Sequence, residues 1–116
     1  MACAAALATL DLLEKDDALQ RVRELAPRFE YAVHGLQGVR HIADVRNFGL
    51  AAGITVESAP GEPARRPFDV AMAMYAKGYY VRYGGDTIQL APPFTSTANE
   101  IESLIDALAQ TLHDTP

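Results

Sequence analysis

The sequence predicts an α+β fold, a small and mostly antiparallel sheet of two hairpins covered by helices. Three observations carry that prediction. Tyr79–Arg82 and Thr87–Leu90 are short apolar-rich runs separated by a glycine turn, the signature of a hairpin. Val39–Val45 alternates apolar and polar residues before a second run, Leu50–Val56. After Thr97, apolar residues recur at helical spacing almost to the end of the chain.

The elements follow in order. From Ala2 to about Leu25 the pattern is helical, with Leu10, Leu13, Leu19, Val22 and Leu25 at spacings that one helix side can collect. The cluster Glu14-Lys15-Asp16-Asp17 marks a break or exposed turn between two helices. Ala2, Ala4, Ala5, Ala6 and Ala8 leave room for close approach by another element, so a buried helix is expected here. Pro27, which has no N–H to donate, is expected to end the regular pattern. Asn47-Phe48-Gly49 reads as a turn or bulge between the first two strands, and Gly53 lies inside the second. Ser58–Pro67 holds three prolines and Gly61 and reads as an exposed irregular loop. Pro67 then falls in the first turn of a helix, where proline is tolerated. Phe68, Met72 and Tyr75 follow at helical spacing, and Gly78 supplies the stop. Gly84-Gly85 provides the positive φ angles of a tight hairpin turn. Thr97 with Glu100 three residues on is a capping-box pattern, and Ile101, Leu104, Ile105, Leu108 and Leu112 form one stripe. Residues 1–26 are expected to be a helical segment continuing from a missing large domain, and residues 27–116 a small α+β domain.

Composition narrows the function. The chain has 116 residues, enough for one core, with 49% hydrophobic and 22% charged residues, close to globular averages. Ten basic against fifteen acidic residues give a formal net charge of -5 without a basic stripe, which disfavours nucleic acid. The single cysteine, Cys3, excludes an internal disulfide, and no Cys or His grouping suggests a metal site. A reducing, cytoplasmic location is expected. The apolar start, Met1–Leu13, lacks the positive charge of a signal peptide, and no stretch is long enough to span a bilayer. The chain starts abruptly within its first helix, as a cut through a longer protein would.

Among residues able to carry chemistry, Arg82 comes first. Guanidinium is permanently charged and its planar fork matches a carboxylate. At a strand end beside a glycine turn, its head can move while the backbone is held. Spacing alone favours pairing with Asp86 across the same turn over a ligand role. Arg46 reads as a basic residue next to a turn, and Arg65-Arg66 as a solvated face. His34, His41 and His113 are scattered, without a Cys or Ser partner. Tyr75, Tyr79, Tyr80 and Tyr83 read as packing residues with hydroxyls at the rim. No glycine-rich phosphate loop opens a helix, and no Gly-x-Ser-x-Gly turn is present.

Five segments in register carry a resemblance: Ala2–Leu10, Arg46-Asn47-Phe48-Gly49-Leu50, Ala64-Arg65-Arg66-Pro67-Phe68, Gly78-Tyr79-Tyr80-Val81-Arg82 and Leu90-Ala91-Pro92-Pro93-Phe94. Together they resemble the C-terminal small domain of class III pyridoxal-phosphate aminotransferases. Within that family the likeness is greatest to omega-amino acid (β-alanine):pyruvate aminotransferases. The resemblance implies a domain of a fold type I homodimer with pyridoxal phosphate on a lysine of the large domain. Such an enzyme moves an amino group from an omega-amino acid or amine to pyruvate. It implies that Arg82 engages the substrate carboxylate and can swing aside for donors lacking one. Neither Lys15 nor Lys77 has a setting suited to the Schiff base, so no cofactor is expected on this chain alone, nor transamination. A first helix without its large-domain neighbour should expose an apolar face. The alternative is a stand-alone, non-catalytic module that binds carboxylates or another subunit.

Overall fold

The computed structural model describes residues 1–116 and shows the expected α+β architecture. In chain order the elements are α1 (Ala2–Lys15), α2 (Ala18–His34), β1 (Ile42–Phe48), β2 (Ala51–Val56), α3 (Arg65–Ala76), β3 (Arg82–Gly84), β4 (Thr87–Leu90) and α4 (Ala98–Asp114). The four strands form one antiparallel sheet in the order β1-β2-β4-β3, which joins two hairpins through a β2–β4 pairing.

Alternation sorts the sheet residues onto two faces. Val45, Ala52, Ile54, Val56, Ile88 and Leu90 point inward and are buried. They meet Phe29 and Val33 of α2, Val70 and Met74 of α3, and the α4 stripe Ile101, Ile105, Leu108 and Leu112 in one core. Leu104 of that stripe packs at the core's margin. The opposite face carries Asp44, Arg46, Thr55, Thr87, Gln89 and Arg82, and no helix covers it.

Helix α4 begins as its sequence pattern requires. Thr97 Oγ1 accepts from Glu100 N at 3.2 Å, and Thr97 N donates to Glu100 Oε2 at 2.7 Å. These reciprocal bonds satisfy two of the donors that a helix start leaves open. Helix α3 ends on a Schellman motif. Gly78 takes φ +89°, its N–H reaches Tyr75 O, and Tyr79 N–H reaches Met74 O at 2.9 Å.

Several expectations are corrected. Pro27 lies inside α2, which continues to His34. The carbonyl that loses its partner is that of Arg23, on an exposed turn open to water, while the following Phe29 and Val33 are fully buried. Tertiary burial therefore outweighs the local break. Helix α1 has no buried residue, so it is not a buried helix in this chain. Its main contact is with α2, and Leu7, Leu10 and Leu12 are each more than half exposed, matching the expected apolar face. The molecule is accordingly elongated, 50 × 31 × 23 Å. Phe48 belongs to β1, and the turn falls on Gly49-Leu50. Likewise Gly84 ends β3, and the hairpin turn is Gly85-Asp86, with Gly85 at φ +57°. Tyr79, Tyr80 and Val81 precede the strand.

In α3 the core face is Pro67, Val70, Ala71 and Met74, which leaves Phe68, Met72 and Tyr75 exposed. Of the four tyrosines read as packing residues, only Tyr79 packs against the core. Tyr75, Tyr80 and Tyr83 are exposed, and Tyr83 stacks edge-on against Phe68 at 5.9 Å.

Candidate functional site

The uncovered sheet face brings the chemistry-bearing residues together. Register pairs Arg46 with Gly53, Gly53 with Gln89, and Gln89 with Arg82. One row therefore crosses all four strands, with an arginine at each end. The two arginines stand about 14 Å apart at the backbone, three strand spacings of roughly 4.8 Å. A second row holds Asp44, Thr55, Thr87 and Gly84.

The two guanidiniums differ in their partners. Arg46 is held flat on the sheet. Its Nη1 donates to Asp44 Oδ2 at 2.7 Å and Thr55 Oγ1 at 2.9 Å, and its Nη2 to Thr87 Oγ1 at 3.4 Å. Gly53 beneath has no side chain to obstruct it. Arg46 is thus a strand residue tied into a polar network, and its charge is already matched.

Arg82 is exposed and makes no hydrogen bond or ion pair within the chain. The pairing with Asp86 favoured by spacing does not form. Instead Asp86 Oδ2 accepts from Ser58 Oγ at 2.8 Å, and Asp86 Oδ1 accepts from Ala64 N at 3.0 Å. Arg82 therefore presents an unmatched cation on a polar face, with Gln89 beside it. A flexible guanidinium so placed can meet an incoming carboxylate through two parallel bonds.

The remaining candidates lie elsewhere. Arg65 is on the surface, where the hydrogen bond and charge of Asp69, with Glu62 behind them, raise its pKa further above its ordinary value. Arg66 corrects the expectation of a solvated pair. It is buried, donating to the carbonyls of Glu57 and Pro116, and so fastens the C-terminus to the end of β2. His34 bonds Asn47 at 2.9 Å and His41 bonds the Thr115 carbonyl at 3.1 Å, while His113 is exposed. These three form no common site.

Residue-level reading passed over Gly53, Thr55, Thr87 and Gln89. The signal lay in alternation: counting by twos from Ile54 and Ile88 marks the inward face and leaves all four on the other, polar one.

Neither lysine suits a Schiff-base partner near this face. Lys77 Nζ donates to Thr111 Oγ1 at 2.8 Å in the helix layer, and Lys15 ends the exposed helix α1.

Residues 1–112 match the aminotransferase class-III family. The chain belongs to that family. It is 45% identical over 113 residues to the beta-alanine–pyruvate aminotransferase of Pseudomonas aeruginosa, and equally so to the omega-amino acid–pyruvate aminotransferase of Pseudomonas putida. In both cases the match covers 97% of this chain and 25% of the relative. Among solved structures, adenosylmethionine-8-amino-7-oxononanoate aminotransferase from Methanocaldococcus jannaschii superposes with a TM-score of 0.84 at 32% identity, over 97% of this chain and 27% of that one. An amine transaminase from an uncultivated Pseudomonas species, solved in a PLP-bound form, gives 0.87 at 28% identity, over 99% of this chain and 28% of that one. The class III chain described here thus spans about a quarter of the length of these relatives.

Proposed function

We propose that this chain is the C-terminal portion of a pyridoxal-phosphate-dependent omega-amino acid:pyruvate aminotransferase and supplies its substrate-carboxylate arginine, Arg82. The observation that carries the reading is the unmatched Arg82 guanidinium on the uncovered polar face, with the adjacent carboxylate of Asp86 already committed. The names of the similar Pseudomonas enzymes support beta-alanine or another omega-amino acid as donor and pyruvate as acceptor. The cofactor, when bound, supplies the electron sink for amino transfer, and its lysine must come from residues outside this chain. The chain's own contribution is to bind and orient a carboxylate. A homodimer acting in the cytoplasm is the assembly that this reading carries with it.

The test is Arg82→Ala in the full protein that carries this chain. A charge-assisted pair contributes about 1.5–3 kcal/mol, so the apparent pyruvate KM should rise about 10- to 100-fold. The half-reaction with benzylamine, a donor without a carboxylate, should be nearly unchanged. Equal losses in both reactions would refute the ligand role.

The exposed leucines of α1 fit a missing large-domain neighbour and equally a second reading, in which the chain is an interaction module covered by another polypeptide. Activity of the full protein with beta-alanine and pyruvate separates the two.

A further inference from the structure

We infer that Asp86 is a positioning residue that keeps Arg82 available for the substrate carboxylate. The inference rests on the role proposed for Arg82 above. Asp86 lies four residues beyond Arg82 in the same hairpin and is the nearest acidic residue in sequence. Left free, a carboxylate there would compete with substrate for the guanidinium. The structure directs it elsewhere. Both of its oxygens are occupied, one by Ser58 Oγ and one by Ala64 N–H, and its backbone carbonyl accepts from Val56 N at 2.7 Å.

The electrostatics at the start of α3 explain why the carboxylate settles there. Ala64 is the N-cap, takes φ +61° and offers no side-chain cap. The first turn contains Arg65 and Arg66 and no acidic residue. A helix N-terminus carries partial positive charge, and the Arg66 cation adds to it, whereas Arg65 is matched by Asp69 and Glu62. Asp86 supplies the missing negative charge from across the turn. The same bonds tie the Ser58–Ala64 loop to the hairpin and fix the strand on which Arg82 stands.

Loss of these bonds, by freeing the carboxylate in Ser58→Ala or by loosening the hairpin in Asp86→Ala, should therefore act on carboxylate substrates selectively. The full protein is compared as wild type, Asp86→Ala, Asp86→Asn, Ser58→Ala and Arg82→Ala. Asp86→Ala loosens the hairpin and should raise the apparent pyruvate KM about 10-fold, while the benzylamine half-reaction changes less than about 2-fold. Asp86→Asn keeps an acceptor for Ala64 N–H and should recover most of that loss. Ser58→Ala removes one bond from an exposed residue, so it carries the test even where Asp86→Ala folds poorly, with an expected rise of about 3-fold. The dissociation constant of propionate, an unreactive carboxylate, should weaken in the same order by calorimetry.

If Arg82→Ala is selective and the Asp86 and Ser58 variants match wild type, the positioning role is overturned and the carboxylate reading stands. If the Asp86 and Ser58 variants lose both reactions equally, their role is structural and the inference is overturned. If Arg82→Ala itself shows no selectivity, the carboxylate reading fails, and this inference with it.

Discussion

The Arg46 guanidinium lies across Gly53, its register partner, so closely that a Cβ built on Gly53 would stand 3.3 Å from Arg46 Cζ. That approach is tighter than ordinary van der Waals contact, so Gly53→Ala should lift Arg46 away from Thr55 and Thr87. The expected cost is about 0.5–1 kcal/mol, small because the group is exposed. In an Arg46→Ala background the same change should be neutral or stabilising. A double-mutant cycle by urea denaturation checks the coupling, and additive effects would contradict it.

Arg66 spans α3, the end of β2 and the C-terminal residue through two carbonyls. Arg66→Met keeps the apolar stem but removes both donors. Leaving a buried acceptor without its partner costs about 1–3 kcal/mol, and Arg66→Lys should restore part of it. The midpoint of urea unfolding measures both.

Gly78 and Gly84 should respond differently to alanine. Gly78 sits at φ +89° in the Schellman turn, where an L side chain is strained, so Gly78→Ala should cost about 1–2 kcal/mol. At Gly84 the backbone is ordinary and the obstacle is the end of a flexible side chain, Gln89 Nε2, 3.1 Å from the added Cβ. Gly84→Ala should lower the Tm less than Gly78→Ala does, and the opposite ranking would count against both arguments.

Acid should loosen the start of α4. The bonds from Thr97, backbone first and side chain second, hold the Glu100 carboxyl below its ordinary value. A group with a lowered folded-state pKa binds protons more readily in the unfolded chain. Its stabilisation is therefore fully present above the unfolded value, 4.5, and is lost as pH falls through the lower folded value. Glu100→Gln should flatten that part of the stability–pH curve, measured by denaturation from neutral pH downward. A curve with an unchanged acid limb would show that the capping carboxylate contributes nothing.

Local patterns were legible in the sequence, and long-range ones were not. The α4 cap, the Gly78 stop and the break at Asp16-Asp17 depend on residues a few positions apart, so reading along the chain finds them. Pro27 was misleading because its effect is overruled by Phe29 and Val33, whose burial depends on α4 and the sheet. Arg66 looked solvated because one partner, Pro116, lies fifty residues on and the other, the Glu57 carbonyl, is reached only once the Ser58–Ala64 loop folds back. The row from Arg46 to Arg82 needs the β2–β4 pairing, which no local signal announces. Arg82 stood out through family resemblance; spacing pointed instead to Asp86, a contact that the loop after β2 pre-empts.

Strand β3, which carries Arg82, forms a margin of the sheet and is only three residues long. An edge so short, bearing a permanent cation, offers little for a foreign strand to zip onto. The protein can keep one charge unneutralised at its rim without making that rim a seed for aggregation.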